Sequence, residues 1–306
     1  MDLKQIESFV RVAELGSFSR AAVALGIAQP LLSRHVRQLE VEYRQTFLLR
    51  NGRGVTLTEA GLVLLEHGRG ILHQVALAKE ELGSIRGALS GRVSIGLPPS
   101  LSKLITVPLT HAFRAALPQA QLTLTEGFSV LMYEGLRAGR LDMTVLYNPP
   151  PSPDLETEVL HEEALVLISA GTRASGRAPK LLGDIVALKD LADLPLIIPS
   201  RPNAFRLLLE AEMVRIGAKP NIVLEIDGLN AILDLVKEGL GYAVLPKYTL
   251  SNFAKPHPLV THEIQKPTLM SSLTLVWSAR RPTTETHKVA LDMVKRVVKK
   301  AIAQFG

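Results

Sequence analysis

Gln29-Pro30-Leu31-Leu32-Ser33-Arg34-His35-Val36-Arg37-Gln38-Leu39-Glu40 reads as a helix with two faces. Leu31, Leu32, Val36 and Leu39 recur at helical spacing and are expected to enter a core, while Gln29, Ser33, Arg34 and Arg37 share the opposite face. Pro30 stands in the first turn, where a missing N–H costs nothing, so the helix starts at Gln29 and runs to about Tyr43. Upstream, Leu3, Ile6, Phe9, Val10 and Ala13 make one face of a first helix that Gly16 ends. Ser17 then caps a short helix running to Leu25, which Gly26 stops. Three short helices joined through a tight glycine turn read as a helix-turn-helix. Downstream, Phe47 to Arg50 and Gly54 to Leu57 flank Asn51-Gly52-Arg53, whose turn chemistry makes a β-hairpin, the wing of a winged helix.

From Thr58, an N-cap, one long helix is expected to reach about Arg86. Ile71, Val75, Ala78, Leu82, Ile85 and Leu89 alternate at spacings of four and three, the seam of a coiled coil. Either this helix lies on its own domain or it pairs with a second copy, and its place between two domains favours pairing. Beyond Gly91 the pattern changes to strands alternating with helices. Strands are expected at residues 92–97, 121–125, 141–147, 164–169, 194–198, 221–226, 242–245 and 272–277, giving α/β layers with largely parallel strands. Gly171 to Pro179 reads as a surface loop. Thr284 to Phe305 reads as a helix whose Lys295, Arg296, Lys299 and Lys300 form a solvated face. The divisions are thus 1–57 for the helix-turn-helix with its hairpin, 58–90 for the long linking helix with its coiled-coil seam, and 91–306 for the α/β remainder.

Composition narrows the class. A chain of 306 residues fits about two domains. The net charge of +6 favours a polyanionic partner without identifying one, but eight basic side chains against five acidic ones within residues 1–57 concentrate the excess at the front. The absence of cysteine excludes disulfides, thiolate metal sites and a cysteine nucleophile. The opening residues lack an apolar signal region and no apolar run nears the roughly 18 residues that span a bilayer, so the expected location is the cytoplasm, off the membrane. Gly-x-Ser-x-Gly, His-Glu-x-x-His, Gly-x-x-x-x-Gly-Lys and Gly-x-Gly-x-x-Gly are all missing, which argues against an enzyme. His161-Glu162-Glu163, His257 and His262 lack the spacing of a metal site and are read as surface residues. No metal or cofactor is expected.

Phe18-Ser19-Arg20-Ala21-Ala22, the Gln29–Glu40 run, and Arg50-Asn51-Gly52-Arg53-Gly54-Val55-Thr56-Leu57-Thr58-Glu59-Ala60-Gly61 together resemble the N-terminal signature of LysR-type transcriptional regulators. Leu136-Arg137-Ala138-Gly139-Arg140-Leu141-Asp142 and Glu238-Gly239-Leu240-Gly241-Tyr242-Ala243-Val244-Leu245-Pro246 extend the resemblance through the C-terminal half. Ile95-Gly96-Leu97-Pro98-Pro99 and Asp142-Met143-Thr144-Val145-Leu146-Tyr147 look most like the nitrogen assimilation control branch. One departure is Arg44, which stands where the family usually has the glycine that ends the recognition helix. It either adds a phosphate contact or is a tolerated surface residue.

The resemblance implies an α+β winged helix-turn-helix, a long dimerisation helix, and an α/β effector domain of two periplasmic-binding-protein-like subdomains. These would comprise about 91–162 with 267–306, and about 163–266, the chain crossing twice beside a ligand cleft. It implies an imperfect inverted repeat of double-stranded DNA as target, a homodimer or homotetramer, and RNA polymerase as a further partner.

On the recognition helix, Gln29 can pair with adenine and Arg34 with guanine, with Ser33 and Arg37 beside them. Ser17 and Ser19 offer donors to a phosphate at a helix N-terminus, although Ser17 serves equally as a cap. Arg53 is the wing's candidate for a phosphate or minor-groove contact, and Arg50 either joins it or makes a structural ion pair. The dimer seam is assigned to Ile71, Val75, Ala78, Leu82 and Ile85. In the sensor, strand-to-helix turns at 98–102, 128–130 and 200–205 make Ser100, Ser102, Ser129, Ser200, Arg201 and Asn203 the candidates for an effector, an anion by this chemistry. Each serine and Asn203 serves equally as a cap, and Arg201 as a surface charge. Two further readings are a regulator that needs no effector and is controlled by its own abundance, and, more distantly, a solute-binding protein.

Overall fold

Helix α1 (Leu3–Leu15) begins at Asp2, whose carboxylate accepts from Gln5 N while the Gln5 side chain accepts from Asp2 N, a reciprocal capping box. The computed structural model describes residues 1–51, 54–84, 89–171, 183–252, 259–279 and 284–304. Gly16 and Gly26 close α1 and α2 (Phe18–Leu25) in the left-handed conformation. Helix α3 (Gln29–Tyr43) carries Pro30 in its first turn and buries Leu32, Val36 and Leu39 against Ile6, Phe9 and Val12. Leu31, expected in that core, is 40% exposed. It stands one residue, about 100° of helical rotation, away from Leu32, so both cannot face the same core.

Strands β1 (Leu48–Asn51) and β2 (Gly54–Leu57) pair antiparallel as the expected hairpin. Glu40, at the end of α3, accepts from Phe47 N and Leu48 N at 2.9 and 3.2 Å, anchoring the start of the wing to the helix. Helix α4 (Glu59–Ser84) starts at Thr58, whose hydroxyl accepts from Gly61 N and donates to Thr46 O. Arg53 and Ile85 lie outside the described residues, as do the Arg50 side chain, most of the 171–179 loop and His257.

Arg44 adopts φ 51° and ψ 38° and closes α3 as a glycine would. A side chain in that region costs about 1–2 kcal/mol, and glycine would return part of this gain as unfolded-chain entropy. Arg44→Gly is therefore expected to stabilise the protein by roughly 0.5–1 kcal/mol, seen as a higher urea midpoint. A lowered midpoint would show that the arginine side chain itself holds the turn.

The second unit contains β3 (Ser90–Leu97), α5 (Pro99–Ala116), β4 (Gln119–Glu126), α6 (Ser129–Arg137), β5 (Met143–Tyr147) and β6 (Leu155–Ala170). After them come β7 (Ile185–Ala187), β8 (Leu196–Ile198), α7 (Ala204–Arg215), β9 (Ile222–Glu225), α8 (Leu229–Lys237), β10 (Ala243–Pro246), β11 (Leu259–Gln265), β12 (Met270–Ser278) and α9 (Glu285–Ile302). The strand order is β4-β3-β5-β12-β6-β11-β7, with β10 also on β6 and β8 paired to β9. Strand β6 divides the unit into two lobes: residues 155–164 pair with β12, and residues 165–170 with β10 and β11. The chain returns to the first lobe between β11 and β12.

Directions are mixed rather than largely parallel. The pairs β3–β4, β3–β5, β8–β9 and β7–β11 are parallel, whereas β6 and β12, which carry the chain across and back, run antiparallel to each other. A chain that crosses and returns through adjacent strands must reverse. His262 is not a surface residue: it is 4% exposed, with Nε2 2.8 Å from the Ser169 hydroxyl and Nδ1 2.7 Å from Gly183 O. Lys295 is likewise more than a solvated charge, since it pairs with Glu158 at 2.7 Å and lies 5.6 Å from the centre of the Trp277 ring.

Candidate DNA-reading helix and sensor cleft

Gln29, Arg34 and Arg37 are exposed on α3, and Ser33 is half-buried beside them. Leu32, Val36 and Leu39 hold the other side in the core, so packing alone fixes which way the polar face points. Neither Arg34 nor Arg37 enters an ion pair among the described residues, which leaves both guanidinium groups available to a ligand. The Ser19 hydroxyl reaches the Gln29 side chain at 3.4 Å, bringing the start of α2 beside the start of α3. Ser17 accepts from Arg20 N at 3.3 Å and so acts as a cap. On α4, Ile71 is half-buried against its own domain's core, Val75 is half-buried, and Ala78 and Leu82 are exposed.

In the sensor, Ser100, Ser129 and Asn203 come from three separate strand-to-helix turns and line one cavity between the lobes. Its volume is about 30 Å³, and Phe128, Phe205 and Leu229 make much of its wall. Each polar candidate already has a partner. Asn203 Oδ1 accepts from Phe205 N and Arg206 N as the cap of α7; Ser129 Oγ accepts from Tyr147 N at 3.2 Å; the Ser100 hydroxyl lies 2.8 Å from that of Tyr147. Ser102 lies instead on an open groove of about 620 Å³ with Lys103, Glu126 and Asp227. Neither Ser200 nor Arg201 lines the cavity. Ser200 N donates to Asp227, and Arg201 is bound to Glu210 at 2.8 Å, the carboxylate that also holds the buried Arg206.

A polar cluster behind the cavity carried no signal in the sequence. Tyr147 and Tyr248 are hydrogen-bonded to each other through their hydroxyls, and the Glu163 carboxyl stands beside the Tyr248 hydroxyl. Glu163, read from the sequence as a surface residue, is half-buried, with its Oε1 enclosed and without a hydrogen-bond partner among the described residues. Burial pushes its carboxyl up to about 8. Burial, helped by the nearby Glu163 charge, likewise raises Tyr147, and it raises Tyr248. All three residues are distant in sequence.

Residues 3–62 match the model of the lysR-family bacterial regulatory helix-turn-helix protein, and residues 86–299 match the LysR substrate binding domain. The chain belongs to the LysR family. It is a DNA-binding transcriptional regulator with a substrate-binding domain, not an enzyme. Among relatives of this LysR-type regulator, the nitrogen assimilation regulatory protein nac of Klebsiella aerogenes is 34% identical over 281 residues, 92% of this chain and 90% of that protein. The Escherichia coli protein of the same name is 31% identical over 307 residues, covering 99% and 97%. CbnR, a LysR-family regulator solved both alone and with its target DNA, shares the fold, with TM-scores of 0.68 and 0.67. The identities are 23% and 22%, covering 98% and 97% of this chain and all of CbnR. Among the described residues, no helix is long and apolar enough to cross a membrane.

Proposed function

We propose that this LysR-type regulator reads an imperfect inverted repeat through α3, with Gln29, Ser33, Arg34 and Arg37 toward the bases and Ser17, Ser19, Arg50 and Arg53 toward the backbone. The exposed Gln29–Arg34–Arg37 face, fixed in direction by a buried one, carries this reading. Two half-sites follow from two copies, joined by the seam of Val75, Ala78, Leu82 and Ile85, with Ile71 shared between the seam and its own core, and paired dimers give a tetramer. The working location is the cytoplasm, with RNA polymerase as the partner at the promoter. The names of the nac relatives support genes of nitrogen use as targets. Selection from a random duplex pool should enrich two related half-sites one or more helical turns apart. Enrichment of single, unpaired sites would overturn the dimeric reading.

The sensor is proposed to respond to a small effector at the cleft of Ser100, Ser129 and Asn203, with Ser102, Ser200 and Arg201 around its mouth. An anion there would rely on helix N-termini, since no Lys or Arg stands among the cavity's described lining. A cavity of about 30 Å³ has room for about one water. A second reading is control by abundance without an effector. Calorimetric titration with small carboxylates, amino acids and sulfur oxyanions separates the two: heat from one class supports the effector, and no heat from any supports abundance.

A further inference from the structure

Tyr147 ends β5 in the first lobe, and Ser100 stands in the first turn of α5 in the same lobe. Tyr248 belongs to the 3-10 turn Lys247–Asn252, which follows β10 in the second lobe. Glu163 sits on β6 where that strand passes from one lobe to the other, opposite Ser271 of β12. Ser100, Tyr147 and Tyr248 are each less than 5% exposed, so the hydroxyl-to-hydroxyl contact between the lobes is shielded from water. Opening the cleft at this point must break it. We propose that the hydrogen-bonded chain Ser100–Tyr147–Tyr248, with the enclosed Glu163 carboxyl beside its end, is a latch that ties the two lobes shut across the cleft and is released when Glu163 loses its proton.

A buried hydrogen-bonded chain is strong when every member is satisfied and costly when one is a charge without a partner. Protonated, Glu163 is a neutral group that both donates and accepts. Ionised, it is a desolvated carboxylate whose Oε1 lacks a partner. The titratable groups facing it are the phenols of Tyr147 on β5 and Tyr248 on the 3-10 turn, neither of which supplies a positive charge. The closed form holds the Glu163 proton up to about pH 8, whereas an opened, wetted carboxyl returns toward its ordinary 4.5. Closure therefore takes up a proton. The latch is strongest below pH 4.5, weakens as pH rises toward 8, and weakens no further above that. The inference concerns the motion of the lobes and stands whether or not the cleft takes an effector.

The absence of native cysteine allows two labels to be placed without background. Leu131 on α6 and Asn230 on α8 are exposed on opposite lips of the open groove. Full-length chains carrying Leu131→Cys and Asn230→Cys, spin-labelled and diluted into unlabelled protein, report the distance across the cleft. One proton predicts that the open-to-closed ratio rises by up to about tenfold per pH unit between pH 4.5 and 8. Glu163→Gln, neutral at every pH, should stay closed from pH 6 to pH 9. Tyr248→Phe should show the long distance at pH 6. The latch is overturned by a distance independent of pH in the parent, by a pH response that survives in Glu163→Gln, or by a closed cleft in folded Tyr248→Phe. Should Tyr248→Phe not fold, the first two outcomes still decide.

Discussion

Replacing Gly61 by alanine is expected to destabilise the DNA-binding half by about 3 kcal/mol, as a bulky atom forced into close packing does at its more severe end. Helix propensity predicts the opposite sign, since Gly→Ala inside a helix gains about 1 kcal/mol. Position decides between them. A methyl group at Gly61 would stand 2.1 Å from the carbonyl oxygen of Phe47, and that carbonyl belongs to a backbone held from several sides. Phe47 O accepts from Thr58 N, Phe47 N donates to Glu40, and the Phe47 ring meets Phe9 edge-on at 5.7 Å. Relief requires α4 to lift away from the wing by more than an ångström, with loss of packing around Leu65 and Phe47. Gly68 provides the comparison. There the added methyl meets only side-chain methyls of Val10 and Ile6 at 2.9 and 3.1 Å, which shift by tenths of an ångström, so Gly68→Ala should lie near neutral. Urea unfolding of both variants checks this, and a Gly61→Ala midpoint equal to that of Gly68→Ala would refute the close-approach argument.

The same contrast between local and assembled information separates what the sequence showed from what it hid. Helix α3 was legible because its core face, its proline and its charged face all lie within one stretch, and the hairpin because Asn51-Gly52 marks a turn by itself. Leu31 was misjudged because apolar character says nothing about which of two adjacent residues wins the core side. The turns bearing Ser100, Ser129 and Asn203 were also legible, since each is a strand-to-helix junction readable from its neighbours. What Ser100 and Ser129 do was not legible, because their partner Tyr147 is distant, whereas the capping role of Asn203 was, its partners Phe205 and Arg206 lying in the next turn. Glu163, Tyr147 and Tyr248 meet only after β6 has crossed between lobes, and no spacing in the chain records that meeting. His262 and Lys295 were hidden for the same reason, their partners Ser169 and Glu158 lying far upstream. Arg201 shows the converse, a guanidinium that the sequence offers as an effector contact and that the fold commits to Glu210.

Arg34→Ala should weaken binding to the selected operator by about 10- to 100-fold, the equivalent of roughly 1–3 kcal/mol for one bidentate base contact. Its effect on random duplex should be much smaller, because one lost charge among several phosphate contacts lowers the salt slope by about one. The geometry supports this division. From Gln29 to Arg37 the helix rises about 12 Å, which fits within a major groove of about the same width. Arg34 lies just past the middle of that span, exposed and without an ion pair to break among the described residues. Leu32, Val36 and Leu39 are untouched by the substitution, so melting temperature and oligomeric state should stay as in the parent. The ratio of operator to random-duplex affinity, measured at one salt concentration, is therefore the decisive quantity. If that ratio is unchanged while both affinities fall together, Arg34 touches phosphate rather than base, and sequence reading must pass to Gln29 and Arg37. If neither affinity changes, α3 is not the element in the groove.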